Sequence, residues 1–352
     1  MAGYSADDIQ TLEFPYSVQK RTGMYLGNSA KNETSPGMKN VCVREITDNS
    51  ITEAMKGYAD EVTLTFHKDG FVSCLDNGRG IPTSIDANGV NGIIKCLATL
   101  HSGGNFNNDP GKVGPGLNGV GASAVNAVSS RFDVSVFKKN RRYYLSFQDG
   151  ISGHFDSSDQ SEYSKFTESE KIKSEQYEHE QGTLIRFKLN DQYFSDVENI
   201  IVDDIIDRMR YTVYLIPGLT IKIIDETRTG EEGGGEYVFT NEGDIPGMMD
   251  FISSGDTILT SKDDSYTSKG IFQISTKAKY KDKYVDTSSG KSVVKERNNV
   301  IPIEVAIRFN EGEDSNVLSF ANTIRTHQGG VHENALKNAL ADTFVKMAKK
   351  NS

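Results

Sequence analysis

Three short segments near the start of the chain limit what it can become: REITDNS at 44–50, LDNGRGIP at 75–82 and GKVGPGLNGVGAS at 111–123. Each alone is common. An acidic and an amide residue one turn apart occur on many solvated helices, Asp-Asn-Gly is an ordinary turn, and a glycine-rich run is often only a loop. Their order is what constrains: a helix bearing two polar groups, a strand ending in a carboxylate, then a loop able to bring backbone N–H groups close to an anion.

Glu45 and Asn49 lie one helical turn apart and face the same space. A carboxylate there can accept the proton of a water that attacks a phosphate, which makes Glu45 the candidate base. Magnesium prefers oxygen ligands and keeps several waters, so the Asn49 carbonyl plus phosphate oxygens is a sufficient protein share. Asp76 leaves an apolar strand into the sharp turn Asn77–Pro82. Its carboxylate can accept from the exocyclic amine of adenine, while neighbouring glycines let the backbone approach the base. The loop Gly111–Gly121 offers phosphates its backbone N–H groups and the start of a helix near Gly121, with Lys112 as a point charge. The set describes a pocket for ATP with Mg2+.

Competing motifs fail on context. GPGLNG at 114–119 matches the glycine string of dinucleotide-binding folds, but it follows HSGGNFNNDPGK rather than a buried strand, and Asp133 starts a strand instead of ending one. GKS at 290–292 lacks the earlier glycine of a Walker A loop, Val285 standing there. His327 and His332 do not have the spacing of a zinc helix. Cys42, Cys74 and Cys96 show no paired spacing, which points to a reducing, cytoplasmic setting. No apolar run approaches the roughly 20 residues that span a bilayer, and the N-terminus lacks a secretory pattern, so no membrane role is expected. Net charge is −10, so the chain by itself should hold DNA weakly unless positive charge is locally concentrated.

Periodicity predicts a helix over Val41–Lys56, with Val41, Ile46, Ser50 and Ala54 on its apolar face. A hairpin follows, Val62–Phe66 and Phe71–Leu75, then helices at Gly92–Leu100 and Ala122–Ser130. Strands are expected at Phe132–Phe137, Tyr143–Gln148 and Thr183–Leu189, a solvated hairpin extension between His154 and Gln181, a helix at Val202–Leu215 and a strand at Thr220–Ile224. The glycine run Gly230–Gly235 marks the expected division into domains 1–230 and 231–352. In the second half, strands Ile271–Thr276, Ile301–Phe309 and Val317–Asn322 precede a helix over Glu333–Lys349.

The ordered motifs resemble the GHKL ATPases, and nearly the whole chain is similar to the ATPase subunit of type IIA DNA topoisomerases, the group of gyrase B and its topoisomerase IV counterpart. SVQKRTGMYLGN at 17–28, REITDNSITEA at 44–54, LATLHSGGNF at 97–106 and QGTLIRF at 181–187 carry the likeness. SFANTIRTHQGGVHENALKNAL at 319–340 resembles the transducer domain of that group and separates the chain from chaperone, mismatch-repair and histidine-kinase relatives. The resemblance implies an α+β fold: a Bergerat-type α/β sandwich, then a transducer similar to ribosomal protein S5 domain 2. It implies Glu45 as the base, Asn49 as the magnesium ligand, Asp76 as the adenine reader, Thr183 as a second contact near adenine, and Asp48 as a residue orienting the pocket. Gly80 is implied beside the base, and Lys112 with the backbone of Leu117, Asn118, Gly119, Val120 and Gly121 around the phosphates. Tyr4 is implied in an N-terminal arm that reaches the partner subunit's nucleotide.

The implied activity is ATP-driven self-dimerisation that closes a gate and drives DNA strand passage. The implied partners are a second copy, a DNA breakage-reunion subunit or domain, and DNA contacted through regions mostly outside this chain. Thr22 replaces a proline of the family pattern, Asn105 stands where a lysine is usual, and Pro115 and Asn118 alter the glycine-rich loop. The chain stops at Ser352, before any Gln-Thr-Lys loop, which gives the expectation of a fragment or short subunit that hydrolyses ATP slowly. The alternative is a GHKL-type chaperone-like or regulatory switch acting on protein partners, which the acidic charge slightly favours; a further one is a binding module without turnover.

Overall fold

The computed structural model describes residues 11–27, 37–102, 119–155, 162–166, 172–177, 181–195, 199–228, 234–241, 244–256, 258–259, 270–286, 293–312 and 315–351. Two short helices, α1 (Tyr16–Lys20) and α2 (Thr22–Leu26), lead into α3, Met38–Met55. Helix α3 is enclosed on most of its circumference, with Cys42, Val43, Ile46, Ile51 and Ala54 buried. Positions 41, 45, 49 and 53 recur every four residues on one stripe, and this stripe stays partly open. Val41 therefore lies on the open stripe and not among the buried positions expected for it.

Strands β1 (Glu61–Phe66) and β2 (Val72–Asp76) form the expected antiparallel hairpin, Phe66 opposite Val72 and Val62 opposite Asp76. Helix α4 (Gly92–Leu97) is capped by Asn91, whose side chain accepts from the Ile93 amide. Helix α5, Gly121–Ala127, is shorter than the expected Ala122–Ser130. Ser129 ends it: its hydroxyl donates to the Val125 carbonyl while its backbone already begins β3 (Ser129–Lys138). Strands β4 (Arg141–Gln148), β5 (Ile151–Phe155), β6 (Tyr163–Lys165) and β7 (Lys173–Gln176) follow, the last two built from the polar stretch read as a hairpin extension. Then come β8 (Gln181–Leu189), α6 (Val202–Tyr214), β9 (Thr220–Asp225) and β10 (Gly235–Thr240).

These strands make one ten-stranded sheet in the order β10-β9-β1-β2-β8-β3-β4-β5-β6, with β7 paired to β4. Alternation along each strand sends Val62, Leu64, Phe66, Val72, Cys74, Phe132, Val134, Ile185 and Phe187 into the core beneath the helices. Phe132 packs edge-on against Phe147 and stacks on Phe187, both at 6.1 Å between ring centroids. Helix α6 buries Ile205, Ile206, Met209 and Val213 at helical spacing, and Asp203 and Asp204 occupy its first turn, where the helix dipole favours them. Because β10 pairs with β9 from Gly235–Asp225 to Thr240–Thr220, the sheet continues ten residues past the division expected after residue 230.

Beyond the sheet, α7 (Asp244–Ile252) precedes a long antiparallel ribbon of β11 (Ile271–Asp286) and β12 (Val293–Arg308). The strand expected over Val317–Asn322 reduces to β13, Phe320–Ala321, because Asn322 takes φ +56° and turns the chain into β14, Ile324–Arg325. Helix α8 spans Val331–Asn351. Among the described residues no helix is long and apolar enough to cross a membrane, and no three His, Cys, Asp or Glu side chains cluster to hold a metal.

Candidate nucleotide site

Asp76 sits at the inner end of β2, nearly enclosed, directly opposite Thr183 of β8. One carboxylate oxygen accepts the Ser50 hydroxyl at 2.8 Å and the other accepts the Gly78 amide at 2.9 Å. Burial pushes its pKa up, while the hydrogen bonds from Ser50, Gly78 and the Thr183 backbone pull the other way. An ionised carboxylate has about four acceptor sites, so capacity remains for an amine. The walls are close-fitting backbone: a Cβ on Gly182 would come within 2.1 Å of the Asp76 carbonyl, and one on Gly78 within 2.9 Å of its Oδ1. Gly80, at φ +70°, lies against the Gly182 carbonyl, Val136 and Lys138, on the Asp76 and Thr183 side. Burial raises the Cys74 thiol to about 12, so this sulfur, 3.5 Å from the Ser50 hydroxyl, is packing and not a nucleophile.

At the other end of the open stripe of α3, Glu45 faces the start of α5. A Cβ on Gly121 would fall 1.8 Å from Glu45 Oε2, so any larger residue there would displace this carboxylate. Burial raises the Glu45 pKa and Asp48 adds to that, against the charges of Arg44 and Arg208. Asn49 is exposed and spends its amide nitrogen on the Glu45 carbonyl at 2.9 Å. Among the described residues nothing donates to its Oδ1, the atom a magnesium ion would need. Gly119 and Val120 precede Gly121, and the Gly119 carbonyl accepts from the Ser102 amide at 3.2 Å, holding the loop end to the segment after α4. Tyr4, Lys112, Leu117 and Asn118 lie outside the described residues.

Several members of the site escaped the motif reading. Ser50 is the direct partner of Asp76, although its spacing suggests an apolar-face residue of α3. Glu53 continues the stripe and forms a forked pair with Arg79, at 2.9 and 2.8 Å, and the Arg79 guanidinium lies 3.6 Å over the Tyr58 ring. Their spacing along α3, Glu45, Asn49, Glu53 at i, i+4, i+8, was the available signal. Asp48, implied to orient the pocket, is buried and pairs with Arg208 of α6 instead of lining the stripe. His67 bridges Ser73 and Glu226, an ordinary hydrogen-bonded histidine.

Known proteins resemble this chain in sequence and fold. The DNA gyrase B family model matches residues 251–352. The DNA topoisomerase 4 B-subunit of Staphylococcus aureus strain MW2 is 31% identical over 347 residues, covering 99% of this chain and 44% of the relative, and the protein from strain Mu50 gives the same figures. The chain belongs to the family of gyrase B and the topoisomerase IV B-subunits. It spans less than half the length of those relatives, 44%. The crystal structure of the 43K ATPase domain of Thermus thermophilus gyrase B in complex with an aminocoumarin superposes with a TM-score of 0.67 at 25% identity, over 95% of this chain and 73% of that one. The α+β arrangement with one large sheet is that of this gyrase B domain. The relatives are topoisomerase proteins, so the chaperone-like alternative is not favoured.

Proposed function

We propose that this chain is the ATP-binding and ATP-hydrolysing gate module of a type IIA DNA topoisomerase, dimerising on ATP to drive DNA strand passage. One observation carries the reading furthest: a single open stripe of α3 runs from Glu45, against which Gly121 is pressed, towards Ser50 and Asp76 in their glycine-walled recess. Asp76 and Thr183 would hold adenine, with Gly80 beside them. Glu45, already biased by burial towards accepting a proton, would take it from the attacking water. Asn49 Oδ1 would ligate Mg2+, which when bound supplies positive charge at the departing phosphates. Gly119, Val120 and Gly121, and in the same loop Lys112, Leu117 and Asn118, would surround those phosphates.

The reading extends to partners: a second copy, with Tyr4 in the arm that crosses to it, DNA, and the breakage-reunion subunit or domain. We place the division between the ATPase and transducer domains after Thr240 instead of 230, because β10 pairs into the first sheet. Sedimentation of the chain with magnesium, with and without a non-hydrolysable ATP analogue, tests the proposal. The expected result is a monomer that becomes a dimer only with analogue and fails to do so when Asp76 is replaced by Asn; a nucleotide-independent oligomeric state contradicts the gate.

A further inference from the structure

Glu45 and Asn49 can act together only if α3 holds one rotational setting about its axis. The clearance is small, since Gly121 is pressed against the Glu45 carboxylate with no room for a methyl group. Backbone hydrogen bonds within the helix do not fix that setting, because they are unchanged when a helix rolls as a body. Something lateral must.

Several lateral contacts have direction: Asn40 exchanges two hydrogen bonds with the Ile201 backbone, Ser50 donates to Asp76, and the one set between Glu45 and Asn49 is an ion pair. Asp48, between Glu45 and Asn49 in sequence and buried, accepts from Arg208 Nη2 at 2.5 Å, with side-chain exposures of 6% and 17%. Asp48 follows Glu45 by three residues and flanks the open stripe, so Arg208 grips α3 from that side. Arg208 is held in turn: α6 buries Ile205, Met209 and Val213 in the core, and the Thr212 hydroxyl donates to the Arg208 carbonyl at 2.9 Å. On its far side Tyr211 and Tyr214 pack against Phe251 of α7, at 6.2 and 6.4 Å between ring centroids. The guanidinium thus joins the catalytic helix to a braced element.

We propose that Arg208 is a positioning residue that sets the rotation of α3, and with it the aim of Glu45 and Asn49, through its ion pair with Asp48. The inference rests on the functional reading above. It is specific in kind: among the described residues Arg208 makes no hydrogen bond to Glu45, Asn49 or Asp76, so its loss should disturb the chemical step more than nucleotide binding, whose proposed anchor is Asp76 on β2.

The test measures Glu45-dependent ATP turnover, the rate after subtraction of an E45A background, with kcat and KM resolved, for the unaltered chain, R208M, R208K and the double variant D48N/R208M. A displacement of about 1 Å at a reacting group can cost on the order of 100-fold in rate, so R208M should lose at least about tenfold in kcat with KM changed less than about twofold. R208K, which keeps the charge but not the fork, should recover part of that loss. The double variant removes both partners of the pair, so neither is left as a lone charge, and keeps the test open if R208M does not fold; a melting temperature like that of the unaltered chain with kcat still low supports positioning. Normal kcat in the folded double variant, or a change confined to KM, overturns it. Absence of any Glu45-dependent turnover in the unaltered chain overturns the functional reading and this inference with it, whereas Glu45-dependent turnover that R208M leaves intact overturns this inference alone.

Discussion

Two regions of the molecule handle apolar residues differently. In the sheet from β1 to β10, Phe132, Phe147, Phe187, Ile221 and Ile223 are fully enclosed. Beyond α7, Phe272, Ile274, Val300, Ile301, Ile303, Phe344 and Val345 are 40–53% exposed, and Gly270, Ile271 and Thr323 are the buried residues described there. A wide sheet with helices laid on one face can enclose side chains from both layers; a two-stranded ribbon offers its residues only each other. The residues proposed to carry the chemistry all belong to the first region, while the family model falls on the second. A site that depends on sub-ångström clearances is built where the packing is dense, and the contrast can be broken or sharpened by substitution in each region.

The largest expected effect is in the first region. Glu45→Ala should lower turnover by roughly 10²–10⁴-fold, the usual share of a positioned base, and leave nucleotide affinity largely unchanged; steady-state hydrolysis alongside titration of a fluorescent ATP analogue checks both. Undiminished turnover would remove Glu45 from the chemistry. Phe132→Ala removes the ring at the centre of the aromatic cluster and should cost about 3–5 kcal/mol in denaturant unfolding. A loss below about 1 kcal/mol would mean that the first region is no more tightly packed than the second.

Gly121→Ala comes next and separates site from scaffold. Gly121 does not take a positive φ, so alanine fits its backbone and the clash is with the Glu45 side chain, at 1.8 Å from Oε2 and 2.7 Å from Cδ. Turnover should fall by on the order of 100-fold as the carboxylate is displaced, with little change in melting temperature. Asp76→Asn should weaken nucleotide binding by roughly 1.5–3 kcal/mol, the range for a hydrogen bond to a charged group, measured by calorimetry. The same variant should not lower stability at neutral pH. Asp76 has its folded pKa raised above the ordinary value, so its ionisation subtracts stability as pH rises through that folded pKa, and an uncharged Asn avoids the loss. A variant that both melts earlier and binds ATP normally would reverse the assignment.

The local pattern carried much of this fold. The β1–β2 hairpin, α3 and α6 follow from alternation and helical spacing, and they place Glu45, Asn49 and Asp76. What escaped depends on contacts distant in sequence. Ser50 reads as a small apolar-face residue until β2 brings Asp76 against it, 26 positions later. The partner of Asp48 is 160 positions away on α6. The glycine run before β10 reads as a loop or tight hairpin connection near the domain boundary, and the antiparallel register of β10 against β9 shows that the sheet continues past it. Val41 obeys the helical period but falls on the partly open stripe, where it packs against the edge of the core without being enclosed.

The smallest expected effect falls in the second region and completes the comparison. Val300 lies on β12 with 45% of its surface exposed. Truncation to alanine removes two methyl groups already in contact with water, so it forfeits little transfer free energy and leaves no cavity; surface changes of this kind stay within about 0.5 kcal/mol. Part of even that loss would reflect the β-branched preference for strand, which alanine lacks. Denaturant unfolding of Val300→Ala in the 352-residue chain should therefore overlay the unaltered curve. A loss of about 2 kcal/mol, the scale of an enclosed aliphatic side chain, would show that Val300 is covered in solution and that the contrast between the two regions does not hold there.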